Sequence, residues 1–194
     1  MKKILVFATN NKYKATEIQQ LVGDGFEIKT LEDIACREDI VESGLSLTEN
    51  ATIKSKYVFN TYGLDCFADD TGLEVEALNG APGVYSARYA GSQKSDGDNI
   101  GLLLANMEQQ SNRKARFRTV ISCMLNGEEN LFEGILEGEI IREPIGTNGF
   151  GYDPVFKPLH SHKTLAELNT AEKNEISHRA KATRKLIQFL REQS

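Results

Sequence analysis

The chain has 194 residues, of which 40% are hydrophobic and 26% charged, and 23 Lys and Arg stand against 28 Asp and Glu for a formal net charge of −5. This profile predicts an ordinary globular chain that buries one substantial core. The acidic balance argues against broad non-specific nucleic-acid binding, which depends on a dense positive field, so a polyanionic ligand must meet local lysines or bring a cation with it. Cys36, Cys66 and Cys123 are far apart and form no CxxC pair, so neither a disulfide framework nor a zinc ribbon is expected and a reducing cytoplasm is. The opening "MKKILVFAT" imitates a signal peptide, but its apolar run ends too soon in "TNNKYK", and no later stretch approaches a membrane span.

Ile4 to Ala8 is short and β-prone, which predicts a buried first strand. In "NNKYKATEIQQLV" the helical spacing of Ala15, Ile18 and Val22 predicts a helix entered through a tight loop. "SLTENATIKSKYVFNTYG" predicts a second helix, opened by a capping box of Ser46 with Glu49 and stopped at Gly63. The strand "LDCFA" follows, then a polar break at "DDTG", then the alternating "LEVEAL". Asn79 to Gly83 is a turn, and Ile100, Leu103, Leu104 and Met107 give a third helix its apolar stripe. Alternation from Ala115 to Leu125 followed by Asn126-Gly127 predicts a hairpin whose return strand runs from about Asn130 into "GILEGEII". One final helix is expected to carry Ile176, Ala180, Thr183, Ile187 and Leu190 on a single face. The order of elements predicts the α/β class, with a mixed central sheet flanked by helices and the long antiparallel hairpin forming a second lobe. Residues 1–194 are expected to form a single domain of two lobes with a cleft between them.

Several segments carry chemistry beyond what folding requires. In "ATNNKYK" a polar loop leaves a strand and enters a helix with lysines at 12 and 14, so backbone N–H groups, the helix dipole and full positive charge favour an anion. The competing reading is a capped helix with solvated lysines. In "FADDTGLEV" two adjacent carboxylates end an apolar strand. If the strand continues they point to opposite faces, which separates their roles, and a carboxylate there fits Mg²⁺, which takes one or two protein oxygens and leaves places for water and phosphate. Capping of the "DTG" turn is the alternative. Glu42 is a further possible ligand, and Lys54 either reaches a phosphate or lies solvated. In "GTNGFGYDPVF", Gly146, Gly149 and Gly151 let main chain approach a flat ligand, and Phe150 and Tyr152 offer aromatic faces on which a base stacks. The alternative is a tight turn with its aromatics in the core. The glycine order does not match GxGxxG, so a dinucleotide fingerprint is rejected. "EKNEISHRAKA" gathers Lys173, Ser177, His178 and Arg179 at a helix start, with Ser177 a plausible N-cap and donors placed to meet oxygens on a base. The "HSH" of His160 and His162 lacks a cysteine or acid at metal-site spacing.

Taken in order, "TNNKYK", "ESGLSLTENATIKS", "ADDTGLEV", "GAPGVYSARYAG", "FGYDPVF" and "KNEISHR" resemble the inosine and xanthosine triphosphate pyrophosphatase family, over nearly the whole chain. The resemblance implies Mg²⁺-dependent hydrolysis of deaminated purine nucleoside triphosphates (ITP, dITP, XTP) to monophosphate and pyrophosphate, in the cytoplasm, by a homodimer. It implies that Thr9, Asn10, Asn11, Lys12, Tyr13 and Lys14 form the phosphate loop, with Lys54 nearby. Asp70 is implied as general base and Mg²⁺ ligand, Glu42 as a second ligand, Asp69 as shaping the site, and Thr71 and Arg88 as lining it. Phe150 is implied to stack on the purine, with Gly151, Tyr152, Asp153, Lys173, His178 and Arg179 around it. Two positions depart from the family's usual pattern: Asn10 stands where many relatives have glycine, and Ser55 where alanine is usual. The competing readings are a related pyrophosphatase for modified pyrimidine nucleotides and a non-catalytic nucleotide-binding module.

Overall fold

The structure is a computed structural model and describes residues 3–11, 14–15, 18–19 and 26–193. Among the described residues the sheet has six strands in the order β2-β1-β3-β4-β5-β6. Strand β1 (Lys3–Phe7) pairs in parallel with β2 (Phe26–Thr30), from Lys3 opposite Phe26 to Phe7 opposite Thr30, and in parallel with β3 (Cys66–Val75). Strands β4 (Lys114–Leu125) and β5 (Glu128–Ile140) are neighbours joined by Asn126 and Gly127, both at positive φ. Such a two-residue link with two left-handed positions fits the right-handed twist of an antiparallel pair. Strand β6 (Phe156–Pro158) runs antiparallel to β5. The sheet is therefore mixed, as the sequence predicts.

Helix α1 (Leu47–Tyr62) begins at the predicted capping box: Ser46 Oγ accepts the Glu49 N–H at 3.2 Å, Glu49 Oε2 accepts the Ser46 N–H at 3.2 Å, and Gly63 ends the helix at φ 64°. Helix α2 is Asp96–Asn106, α3 is Thr170–Ile176 and α4 is His178–Glu192. Of the predicted first helix, Lys14, Ala15, Ile18 and Gln19 are helical, and Val22 lies outside the described residues.

Three expectations need correction. The "DDTG" segment is not a break, because β3 runs through it to Val75 between two neighbouring strands, with both aspartates buried. The return strand starts at Glu128, directly after the turn. The single final helix is two, since Ser177 is extended (φ −62°, ψ 150°) and leaves Ile176 on α3 while α4 starts at His178.

The chain divides into two compact units. The first comprises Met1–Asp70, Thr119–Gly134 and Arg179–Ser194. Here strand alternation sends Leu5, Phe7, Phe67, Ile121, Cys123 and Leu125 to one face, where they pack with Ala182, Leu186, Ile187 and Leu190 of α4. Val6, Ala8, Cys66, Ala68 and Met124 face the other way and pack with Val58 of α1. The second unit, Thr71–Arg118 and Ile135–His178, has its own core of Leu73, Val75, Leu103, Met107, Phe117, Leu136, Ile140, Tyr152, Val155, Phe156 and Leu165. No helix among the described residues is long and apolar enough to cross a membrane.

Candidate active site

In the first unit the two-residue period of β3 decides what the adjacent acids meet. Asp69 shares the parity of Phe67 and so faces α4, while Asp70 shares that of Ala68 and faces α1. Asp69, 1% exposed, accepts from Lys14 Nζ at 3.0 Å and from Arg179 Nε at 3.3 Å. Burial raises its carboxyl, but Lys14, Arg179 and Lys54 together outweigh burial and hold it well below the usual carboxylate range. Asp70 shows the opposite balance: burial outweighs Lys54 and Lys14 and keeps its carboxyl above the ordinary value, with Glu42 adding to the rise. Adjacent residues of one type thus receive opposite proton affinities from their surroundings, a pattern found where acids divide their labour.

Lys54 lies on the buried stripe of α1 and donates from Nζ to Glu42 Oε1 at 2.6 Å and to the main-chain oxygen of Asp69 at 2.7 Å, with Asp70 Oδ1 3.9 Å away. Burial opposes its charge, yet Asp70, Asp69 and Glu42 together hold the ammonium above its ordinary pKa. Lys14 goes the other way, because burial lowers its pKa by more than Asp69 restores. Thr9 Oγ1 accepts the Asn11 N–H at 3.0 Å and Asn11 Oδ1 accepts the Lys14 N–H at 3.1 Å, so Asn11 ties Thr9 to the main chain of Lys14. Asn10 beside it is exposed, and Lys12 and Tyr13 lie outside the described residues.

The donor set bears on a metal ion. Glu42 and Asp70 both approach the one Lys54 ammonium, so the structure already holds a cation between these two carboxylates. A pair of carboxylates with water and phosphate completing the shell fits Mg²⁺. Among the described residues no group of three or more His, Cys, Asp or Glu could hold a metal ion, so a cation here would draw its other ligands from elsewhere.

A second cluster lies in the second unit. Two glycines of the "GTNGFGYDPVF" loop are required by close approach: Gly146 and Gly149 sit at φ 89° and 81°, a Cβ at Gly146 would stand 2.5 Å from the Ala166 backbone, and one at Gly149 would fall on the Asp153 carboxylate. Asp153 Oδ2 accepts the Phe150 N–H at 3.0 Å and lies 2.9 Å from Lys173 Nζ, which in turn sits 4.6 Å from the centre of the half-buried Phe150 ring. His178, buried, stacks on Phe117 with centroids 4.7 Å apart.

Several predicted residues land elsewhere. Tyr152 is 4% exposed, and its hydroxyl donates to the Ser86 carbonyl at 2.9 Å. Its ring belongs to the core and offers no stacking face. Arg179 pairs with Asp69, its Nε donating to Oδ2. Arg88 lies over the exposed Tyr85 ring at 5.4 Å, and Thr71 follows Asp70 on β3, half-buried. Two residues escaped the sequence reading. Asp96 accepts the Gly151 N–H at 2.7 Å, and Asn50, buried on α1, donates to Asp70. Asn50 did leave a signal, since the stripe Leu47, Asn50, Ala51, Lys54, Ser55, Val58 places polar side chains where a helix ordinarily buries apolar ones.

Two buried acids on a strand of a mixed sheet, met by Lys14 and Lys54, mark an α/β protein with a cluster of opposite charges in its first unit. The sequence pattern of the Ham1 family matches residues 5–189, and the chain belongs to that family. A dITP/XTP pyrophosphatase of Christiangramia forsetii is 55% identical over 186 residues, covering 96% of this chain and 98% of the relative. Another, of Flavobacterium psychrophilum, is 51% identical over 187 residues, again 96% and 98%. The solved structure of the Staphylococcus aureus Ham1 protein superposes with a TM-score of 0.92 at 39% identity, covering 99% of this chain and 100% of the other.

Proposed function

We propose that the protein is a nucleoside triphosphate pyrophosphatase that hydrolyses deaminated purine nucleoside triphosphates, ITP, dITP and XTP, to the monophosphate and pyrophosphate. Full-length similarity to relatives named dITP/XTP pyrophosphatase supports the substrate class. The observation that carries the chemistry is the Glu42–Lys54–Asp70 arrangement, with Asp70 held above its ordinary pKa by burial.

In this reading Thr9, Asn10, Asn11 and Lys14 hold the phosphates, and Lys54 helps neutralise them. Glu42 and Asp70 would hold Mg²⁺, which supplies Lewis-acid stabilisation of the phosphate oxygens. Asp70 accepts the proton of the water that attacks the α-phosphorus, and the bond from that phosphorus to the oxygen of the leaving pyrophosphate breaks. Positioning and charge stabilisation do most of the work, as in other phosphoryl chemistry.

Phe150 stacks on the purine with Lys173 on its ring, and Asp153 and His178 complete that end. A 6-oxo purine presents an acceptor to a donor-rich pocket where adenine presents a 6-amino donor, and a site built on such hydrogen bonds discriminates by about 10⁴ to 10⁵ fold. The protein acts as a homodimer in the cytoplasm, where its free, buried cysteines are at home.

The test is chromatography of the products from ITP, XTP, dITP, ATP, GTP and TTP, with and without Mg²⁺. Mg²⁺-dependent conversion of ITP, dITP and XTP to monophosphate and pyrophosphate, with ATP nearly untouched, is expected. Release of single phosphate, or equal use of ATP, would overturn the reading.

A further inference from the structure

The buried stripe of α1 carries a neutral amide among its charges. Asn50 is 0% exposed and works at both ends: Nδ2 donates to Asp70 Oδ2 at 3.2 Å, and Oδ1 accepts the Gly44 N–H at 2.8 Å. The partners settle which end is which, because a backbone N–H only donates and an ionised carboxylate only accepts. Gly44 is pressed onto this amide, since a Cβ there would stand 2.6 Å from Glu49 Cβ and 2.7 Å from Asn50 Oδ1. Gly44 lies two residues after Glu42. One side chain therefore ties the loop of one candidate ligand to the carboxylate of the other. Folding alone does not call for asparagine here, because alanine favours a helix interior more and a buried amide must find partners.

We propose that Asn50 is a positioning residue for the pyrophosphohydrolase reaction: it fixes the rotation of the Asp70 carboxylate and locks the Glu42 loop against it through Gly44. The inference rests on the reading of Asp70 given above. Asn50 acts through Asp70 and the Glu42 loop, so its loss should appear in turnover rather than in substrate affinity.

The experiment compares kcat and KM for dITP at saturating Mg²⁺ in wild type, Asn50→Ala and Gly44→Ala, with rates normalised to the folded fraction from thermal melts. Asn50→Ala is expected to lower kcat by about 30- to 100-fold, the scale of a misplacement of about 1 Å at a reacting group, with KM changed by less than about threefold. Gly44→Ala keeps every polar group yet displaces the amide, and is expected to lower kcat by about tenfold, again with little change in KM. A normalised kcat within about threefold of wild type for Asn50→Ala, or a loss confined to KM, would overturn the proposal, because a merely structural asparagine changes the folded fraction and not the rate of folded molecules. Wild type that releases no pyrophosphate from dITP would instead overturn the reading of the site.

Discussion

Asp69 and Asp70 share a peptide bond and almost nothing else. The pleat of β3 turns one toward Lys14 and Arg179 and the other toward Asn50 and Lys54. Asp69 is tied to cations that outweigh its burial, so it serves as the fixed anion that aims them. Asp70 keeps a raised proton affinity and is the one suited to take a proton. Asp70→Asn preserves size and removes the base; turnover of dITP should fall by about 10² to 10⁴ fold. Nucleotide binding should stay measurable by calorimetry, and turnover near wild type would remove Asp70 from its role. In the second cluster Gly149→Ala places a methyl group on the Asp153 carboxylate at a φ of 81°. That displaces the acceptor holding Phe150 N–H and Lys173, and KM for dITP is expected to rise about tenfold, roughly 1.4 kcal/mol of binding. An unchanged KM would detach this loop from base recognition.

Helix α1 is the element that turns local sequence into a site. Its capping box fixes where the helix starts, and the start fixes which residues fall on the buried stripe. Ser46→Ala removes the acceptor for the Glu49 N–H and should destabilise the fold by about 1 kcal/mol, seen as a fall in Tm of about 2 to 4 °C. An unchanged Tm would mean that tertiary packing alone sets the register. The cap and the Gly63 stop were readable from sequence because their hydrogen bonds close within four residues. The Asn126-Gly127 turn was readable for the same reason. What was misread depends on distant partners. "DDTG" has local turn chemistry, and it becomes central strand because Lys14 and Arg179 arrive from 55 and 110 residues away to answer Asp69. Tyr152 is drawn into the core by an acceptor 66 residues distant. The break at Ser177 was hidden because apolar spacing continues across it from Ile176 to Ala180. The motifs therefore pointed to Glu42, Lys54 and Asp70, which the fold brings together, while Asn50, whose link to Asp70 spans 20 residues, needed the fold to expose it.

For the molecule as a whole, these neighbouring carboxyls pull the pH dependence of stability in opposite directions. A group whose pKa is depressed on folding binds fewer protons when folded, so its contribution is complete above the unfolded value and is lost as pH falls through the folded one. Asp69 is of this kind. A group whose pKa is raised on folding contributes most below its unfolded value and loses that contribution as pH rises through the folded one, which is the case of Asp70. Replacing either aspartate by asparagine changes the formal net charge from −5 by the same single unit, so general charge effects cancel between the two variants. Melting curves of wild type, Asp69→Asn and Asp70→Asn from pH 3.5 to 8 in chelator separate the contributions. The deficit of Asp69→Asn should be full at neutral pH, where Lys14 and Arg179 lose their buried counter-charge, and should narrow as pH falls below about 4. Asp70→Asn should melt above wild type at neutral pH, by about 2 to 4 °C for each kcal/mol relieved, and its advantage should shrink as pH falls through the raised value of Asp70. An Asp70→Asn protein that melts below wild type at neutral pH would reverse the sign and mean that the surrounding cations hold Asp70 more strongly than burial strains it.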